Sequence, residues 1–506
     1  MQQATYYITT PIYYVNDKPH IGHAYTSVAC DVLARFKRLD GYQVKFLTGT
    51  DEHGQKVEKS AENAGVTPQE FTDAVSQTFR DMVEMLGLSN DDFIRTTEER
   101  HIRAAQAMWK KLLDNGDIYL GSYSGWYAVR DECFYTEAEL VEGKAPTGAP
   151  VEWVEEPSYF FRLSKYQQPL LDYYNAHPEF IGPDARRNEV MRFVEGGLID
   201  LSISRTSFKW GIRVPGDEKH IMYVWLDALV NYLTSIGYPD EESPEFRNFW
   251  PASLHMVGKD IVRFHAVYWP AFLMGAGLPL PQRIFAHGWW TNEGEKISKS
   301  VGNVIHPSSL ISVYGLDQTR YFLLREVPFG NDGNFSRIAM VQRINSELAN
   351  TIGNLAQRSL SMIHKNCDAI IPEPTSKLKG MSDAELAQIR KYFDEQKFHL
   401  VLEEIVNKAR KANEKIDAEA PWSLKKEGSE ESLSKMRQVL YELAEEVRQI
   451  AILLQAFTPD SASKMLDQLG VAANKRQIAY LQMPLDFGVA IDKPEGVFPR
   501  FAVEDI

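Results

Sequence analysis

Residues 6–48 read as strand, helix, strand, and that order constrains the fold more than any other feature of the chain. Residues 6–10, Tyr-Tyr-Ile-Thr-Thr, are a short β-prone run. Ile21, Tyr25, Val28, Val32, Phe36 and Leu39 then recur at helical spacing. Gly41 and Tyr42 end that helix, and residues 44–48 read as a second buried strand. A strand–helix–strand unit joins parallel neighbours, so the chain must build a parallel sheet with helices packed on it. Strand-like runs return at residues 253–257 and 284–286, where the second half of that sheet is expected.

Between these halves the character changes. Tyr119, Tyr123, Trp126, Tyr127, Phe134, Tyr135, Trp153, Tyr159, Phe160 and Phe161 crowd a stretch whose residues 143–150 read as a loop. Such density of aromatics and turns predicts an antiparallel insertion. From Arg337 onward three helical stripes follow: Ile338, Val341, Ile344, Leu348, Ile352 and Leu355; Phe398, Leu402, Ile405, Ala409 and Ile416; and Met436, Leu440, Leu443, Val447, Ile450 and Leu454. Amphipathic helices of this kind make a bundle. The expected organisation is an α/β first half over residues 1–115, an insertion over 116–220, a second half over 221–305, a linker over 306–350 and a helical bundle over 351–506.

At 506 residues the chain is too long for one core, since domains run to ~100–200 residues. The balance of 55 basic against 69 acidic residues leaves a net charge of −14. That argues against non-specific coating of nucleic acid or anionic membrane, but it leaves room for a local basic groove. Cys30, Cys133 and Cys367 are too few and too far apart for a disulfide framework or a Cys-x-x-Cys zinc site. The first ten residues lack the basic start and apolar segment of a signal peptide. The longest apolar stretch, residues 266–281, is broken by Pro270, Gly275, Gly277 and Pro279, a poor membrane span. A soluble, cytoplasmic protein with no membrane partner is expected.

Two short segments carry chemistry. His20-Ile21-Gly22-His23 falls after a β-run at the start of a helix. Histidines three apart share one face of the first turn, Gly22 lets a ligand approach the backbone, and the helix N-terminus supplies N–H groups for an anion. Taken alone, the same four residues also fit a structural histidine pair or a metal site. Lys296-Ile297-Ser298-Lys299-Ser300, flanked by Gly294 and Gly302, combines two lysines with two hydroxyls, as in a mobile phosphate-binding loop or an ordinary solvated one.

Together, in this order, with an insertion between the half-sheets and a helical bundle after them, these segments resemble the paired signatures of the class I aminoacyl-tRNA synthetases. The surrounding residues resemble the methionyl-tRNA synthetase family over essentially the whole chain: residues 10–14 (TPIYY), 49–54 (GTDEHG), 223–228 (YVWLDA), 258–265 (GKDIVRFH) and 420–422 (APW). The resemblance implies a Rossmann-like catalytic domain with a connective insertion, a stem-contacting linker and an anticodon-binding bundle. It implies activation of L-methionine by ATP with Mg2+, then transfer to initiator and elongator tRNA(Met). It assigns His20, His23, Lys296 and Lys299 to catalysis. ATP would meet these and Gly22, Gly258, Asp260, His287, Ile297, Ser298 and Ser300. Asp51 would hold the substrate ammonium. Ile12, Tyr13, Tyr14, Trp225, Ala228, Leu229, Tyr232, Phe264, His265 and Trp269 would line the side-chain pocket, with the Tyr232 hydroxyl and the Tyr13 N–H donating to the sulfur. Aromatic walls suit a thioether, since sulfur–aromatic contacts contribute ~0.3–1.5 kcal/mol. Asn354, Arg358 and Trp422 would read the anticodon, as an amide, a guanidinium and an indole are suited to do with splayed bases.

The chain also departs from the family. Leu229 stands where a proline is usual, and Ile297 where methionine is common. Only Cys133 remains of the cysteines that build zinc knuckles in many relatives, so no structural zinc is expected and the insertion must be held by aromatic packing and hydrogen bonds. No room remains for the appended dimerising domain or the large editing domain of some relatives, so a monomer is expected. A cysteinyl enzyme, which relies on a zinc thiolate site, a small nucleotidylyltransferase without the bundle, and a non-catalytic tRNA-binding relative are the competing readings.

Overall fold

The structure is a computed structural model and describes residues 3–16, 18–131, 133–297, 302–376 and 378–502. It divides into two compact units. One comprises residues 5–19 and 45–287; the other comprises residues 1–4, 20–44 and 288–506.

The first unit holds the main sheet. Its strands lie in the order Tyr13–Tyr14, Gln43–Asp51, Thr5–Thr9, Leu254–Gly258, Ile284–His287 and Ile181–Gly182, with Asp92–Arg95 also paired to Gln43–Asp51. Thr5–Thr9 pairs in parallel with Leu254–Gly258, and that strand in parallel with Ile284–His287, so the two halves expected from the sequence do share one sheet. Ile284–His287 is buried throughout, Leu254–Gly258 all but its last residue, and Thr5–Thr9 and Gln43–Asp51 over their C-terminal parts, which is why these strands read as short continuous runs and not as alternating ones. Ile181–Gly182, inside the stretch expected to be wholly insertion, also joins this sheet. Two residues are too few to show as a strand pattern.

The rest of that stretch is built on a long antiparallel ribbon, Ile118–Ala128 against Glu152–Phe161, flanked by Cys133–Tyr135 and Leu201–Ser202. Trp126 and Trp153 face each other across it, edge to face at 5.3 Å. The Arg205 guanidinium lies over the rings of Phe134 at 4.7 Å and Tyr223 at 4.8 Å. The Asp131 carboxylate accepts from the Thr147 and Tyr135 hydroxyls, and Arg130 donates to the Thr147 carbonyl at 2.6 Å, which ties the two loops together. Burial pushes the Cys133 thiol up to about 11, so it stays protonated at neutral pH.

In the second unit the Ile21–Leu39 helix is packed into the helical region. Phe36 stacks on Phe393 with ring centroids 3.7 Å apart, and Arg320 reaches Asp31 at 2.6 Å with both side chains fully buried. The helix beginning at Arg337 runs on through a π-helical stretch, Ile344–Gly353, into Asn354–Asn366. Val341, Ile344, Leu348, Ile352 and Leu355 are buried as their spacing predicts, whereas Ile338 is exposed. Asp383–Asp394, Phe398–Glu419, Pro421–Glu427, Glu430–Leu454 and Pro459–Gln468 complete the bundle. The mostly helical reading of residues 351–506 holds as far as Gln468. Beyond it the chain runs in short 3-10 turns and extended segments, because Pro484, Pro494, Pro499 and three glycines cannot sustain a helix. Among the described residues no helix is long and apolar enough to cross a membrane.

Candidate active site

His20 is the N-cap of the Ile21–Leu39 helix, and the two histidines cap it reciprocally. The Gly22 N–H donates to His20 Nδ1 at 3.0 Å, and the His20 N–H donates to His23 Nδ1 at 3.0 Å. This is the capping-box arrangement made with imidazoles. It corrects two expectations. The N–H groups of the first turn are not available to an anion: Gly22 N–H is taken by His20, His23 and Ala24 donate to the His20 carbonyl, and Ile21 donates to Ile305. Nor does Gly22 leave space for a ligand, since a Cβ there would meet His20 Cε1 at 2.9 Å. The glycine is needed so that the His20 ring can fold back over the turn.

The chemistry moves to the other ring edge. Because both Nδ1 atoms accept, each neutral imidazole carries its hydrogen on Nε2. The rings lie 4.0 Å apart at their centroids. Burial, with His20 alongside, holds the His23 pKa well below the ordinary histidine range, so it is a neutral donor at physiological pH. A pair of prepositioned N–H donors is what charge developing on phosphate oxygens requires.

The lysine-rich segment belongs to the same compact unit. Trp290–Asn292 and Glu295–Lys296 form a hairpin, turned by Glu293 and Gly294 at φ 49° and 85°. Positive φ at both central residues matches a type I′ turn. Lys296 ends it and Ile297 follows; Ser298, Lys299 and Ser300 lie outside the described residues. Asn292 donates to the Asn303 carbonyl at 2.9 Å, so the chain on either side of the loop is tied together. Two residues on, the Ile305 carbonyl takes the Ile21 N–H at 2.9 Å. The first signature segment is thus tied by one backbone hydrogen bond to the chain that follows the second.

The pocket residues gather in the other unit. Trp225 stacks on Phe264 at 3.8 Å, nearly parallel, and edges His265 at 5.9 Å. Phe264 and His265 sit on a π-helical turn, Phe264–Tyr268, a local widening often found at functional sites. His265 Nδ1–H donates to the Ile261 carbonyl at 2.9 Å, leaving Nε2 as the acceptor for the Tyr232 hydroxyl at 2.7 Å. Burial pulls the His265 pKa down to about 4, against smaller upward effects of the Ile261 bond and the Asp260 charge. In this structure the Tyr232 hydrogen therefore goes to His265. Ile12 and Tyr14 pack partly buried against the core, where Ala228, Leu229 and Trp269 are buried. The Tyr13 ring stacks on Phe79 at 5.6 Å within the core, which leaves its backbone as what it can offer a ligand. Asp51 ends the Gln43–Asp51 strand, paired in register with Tyr14. Gly258 and His287 are paired on neighbouring strands, and a Cβ on Gly258 would meet Asp260 Oδ1 at 2.5 Å, so these three lie together.

Two buried groups escaped the sequence reading. His255 receives the Trp269 indole N–H at 3.3 Å, bonds Thr9 Oγ1 at 2.8 Å and stacks under Tyr232 at 4.1 Å. Asp227, fully buried, bonds His53 and His101. A carboxylate inside the apolar run Val224–Leu229 was the available signal, since a buried charge needs partners.

In the bundle unit, Arg358 forms an ion pair with Asp417 at 2.6 Å and Asn354 lies one turn before it on the same helix. Trp422 is 49% exposed, just after Pro421, where Ala420 takes a left-handed φ of 41° and breaks the helix.

A family model described as tRNA synthetases class I (M) matches residues 6–150 and 147–360. Among curated relatives, the methionine--tRNA ligase of Rickettsia bellii is 58% identical over 98% of this chain and 99% of its own. That of Mesorhizobium japonicum is 55% identical over 99% of this chain and 98% of its own. Among solved structures, Mycobacterium tuberculosis methionyl-tRNA synthetase in complex with methionyl-adenylate superposes with a TM-score of 0.94 at 53% identity, covering 98% of this chain and all of that one. The free form of the same enzyme gives 0.88 at 49% identity, covering 99% of each chain.

Proposed function

The chain belongs to the methionyl-tRNA synthetases, of class I, and we propose from that membership and from the site geometry that it is a methionine--tRNA ligase working in two steps. In the first, a carboxylate oxygen of L-methionine attacks the α-phosphorus of ATP. The bond from that phosphorus to the β-phosphate oxygen breaks, and pyrophosphate leaves. In the second, the terminal ribose hydroxyl of tRNA(Met), initiator or elongator, attacks the adenylate carbonyl and AMP leaves. Magnesium enters with the nucleotide as part of that substrate.

No side chain needs to act as nucleophile. The protein contributes position and charge neutralisation. His20 and His23 donate from Nε2 to phosphate oxygens as charge builds. Lys296 and Lys299, with Ile297, Ser298 and Ser300, cover the leaving pyrophosphate. Gly258, Asp260 and His287 hold the nucleoside. Asp51 takes the methionine ammonium, and the pocket from Ile12 to Trp269 takes its side chain. Residues 1–115 and 221–305 serve as the two catalytic halves, 116–220 as the connective insertion, 306–350 as the stem-contact region and 351–506 as the anticodon-binding bundle, with Asn354, Arg358 and Trp422 on the bases. We propose further that the enzyme acts as a cytoplasmic monomer without structural zinc.

The observation that carries this reading is the reciprocal capping of the Ile21–Leu39 helix by His20 and His23 through their Nδ1 atoms, with Ile21 bonded to Ile305, five residues past the lysine-rich segment. The test is ATP–pyrophosphate exchange with each of the twenty amino acids. Exchange with methionine, undiminished by a zinc chelator once magnesium is restored, is expected. Exchange with another amino acid, or with none, overturns it.

A further inference from the structure

We infer that His53 and Asp227 are a positioning pair that fixes the separation between the residues assigned to the two ends of methionine, and so sets the side-chain length the site accepts. The inference rests on the assignment of Asp51 to the ammonium and of Trp225 and Ala228 to the side chain.

His53 stands two residues beyond Asp51, and Asp227 stands between Trp225 and Ala228. His53 Nδ1 meets Asp227 Oδ2 at 2.6 Å, and His101 Nε2 meets Asp227 Oδ1 at 2.8 Å. The three are 5%, 0% and 0% exposed. Burial pushes the Asp227 carboxyl up, but the two histidines outweigh it and hold it at about 2, so it is ionised at neutral pH.

The loop on the His53 side is rigid. Glu52 is buried and takes two hydrogen bonds from Arg95, at 2.7 and 3.0 Å. The Glu52 carbonyl accepts from the Trp210 indole at 2.6 Å, and Gly54 N–H donates to the Trp210 carbonyl at 3.1 Å. The helix on the other side, Val224–Leu229, has six residues. A helix this short has little stability of its own and takes its place from its side-chain ties. Leu226 and Ala228 bury apolar surface, which is non-directional; the Asp227 bonds are directional and set distance and rotation. For packing alone an apolar residue would serve as well, because desolvating a charge offsets most of what its pairing returns. The pair therefore fits a device for geometry better than one for stability.

The test compares wild type, His53→Leu, His53→Asn and Asp227→Asn by ATP–pyrophosphate exchange, with methionine and with ethionine, one methylene longer. Wild type is expected to favour methionine strongly, since a methylene is worth ~10–200-fold in a fitted pocket. His53→Leu and Asp227→Asn are expected to lower that preference by about 10-fold, raising KM for methionine while KM for ATP stays within about twofold, because only the fit to the methylene chain is relaxed. His53→Asn, whose amide nitrogen can take the Nδ1 place, is expected to keep most of it. An unchanged preference in both disruptive variants, or KM rising equally for both substrates, overturns the inference. If His53→Leu loses its near-ultraviolet circular dichroism, Asp227→Asn against His53→Asn decides the matter by the same ratio. Wild type without methionine exchange overturns the underlying assignment as well; methionine exchange with an unmoved ratio overturns the positioning pair alone.

Discussion

Tyr232 gives its hydroxyl hydrogen to His265 Nε2 across 2.7 Å, and His265 in turn gives its Nδ1 hydrogen to the Ile261 carbonyl at 2.9 Å. The chain of donors runs one way, from Tyr232 through the imidazole to the backbone just ahead of the turn that carries Phe264. Tyr232→Phe leaves His265 Nε2 buried without its donor, at a cost of ~1–3 kcal/mol. Urea unfolding should show a loss of that size, with KM for methionine raised. A variant as stable as wild type would mean that the hydroxyl is not donated inward.

The same ring makes stability depend on pH. His265 has a folded-state pKa of about 4, below the ordinary value of 6.5. Between these values the unfolded chain binds a proton at this position and the folded one does not, so stability falls as pH drops through that window and levels off beneath it. At about 1.4 kcal/mol per unit, the effect is on the order of 3 kcal/mol. His265→Gln, which cannot titrate, should flatten the urea midpoint between about pH 6.5 and 4 relative to wild type, and leave the slope above pH 7 unchanged. Parallel curves across the window would contradict the assignment. His23, also held low by burial, acts in the same direction in both proteins and cancels in the comparison, whereas His255, held low by burial first and by His265 second, keeps only the burial part in the variant.

The histidine pair at the helix start separates capping from chemistry by ring edge. In His23→Asn the side-chain oxygen can replace Nδ1 as acceptor for the His20 N–H, but nothing replaces the Nε2 donor. Exchange should fall by ~10²–10³-fold, the usual effect of removing one prepositioned donor. The melting temperature should move little. A large loss of stability with modest loss of rate would instead make His23 a structural cap.

Much of this was legible beforehand, and the failures share a cause. Ile21 to Leu39 showed a helical period because one face packs on a core, and the helix spans those residues as expected. Neither signature segment stood out alone; their order, with an insertion between the half-sheets and a bundle after them, is what made the pair legible. What periodicity could not show was where hydrogen bonds go. Gly22 looked like space for a ligand and is space for His20. Asp227 looked like one polar letter in an apolar run; its partners, His53 and His101, come from segments far away in sequence. The π-helical turns at Phe264 and Ile344 leave no period in the sequence, because one extra residue per turn only shifts the stripe.

Arg320 is fully buried, and so is its partner Asp31 on the helix that begins with the histidine pair. Its guanidinium also donates to the carbonyls of Phe457 at 2.9 Å and Ala456 at 3.0 Å. Arg320→Met removes the buried partner of Asp31, which keeps Arg35 at 2.7 Å, and takes a donor from two carbonyls, a loss of up to ~3–5 kcal/mol. Denaturant titration should show it. Adding Asp31→Asn should recover part of the loss, since the under-paired buried charge is then gone; additive losses would argue against a direct pair.

Trp422 has nearly half its surface in solvent, an unusual place for an indole with no binding role. Ala420, at φ 41°, breaks the helix just ahead of it, and Pro421 starts the next one, so the ring is presented at a corner. Arg358 pairs with Asp417, itself mostly exposed, and such surface pairs are worth ~0–1 kcal/mol, little enough for RNA to displace. If the bundle reads bases here, Trp422→Ala removes one stacking surface, worth ~1–3 kcal/mol, or roughly 5- to 150-fold in KM for tRNA. Pyrophosphate exchange with methionine needs no tRNA and should be unchanged. Stability should shift by no more than about 0.5 kcal/mol, as expected for an exposed side chain. A fall in exchange equal to the fall in aminoacylation would place the tryptophan's role in the fold and not in the RNA.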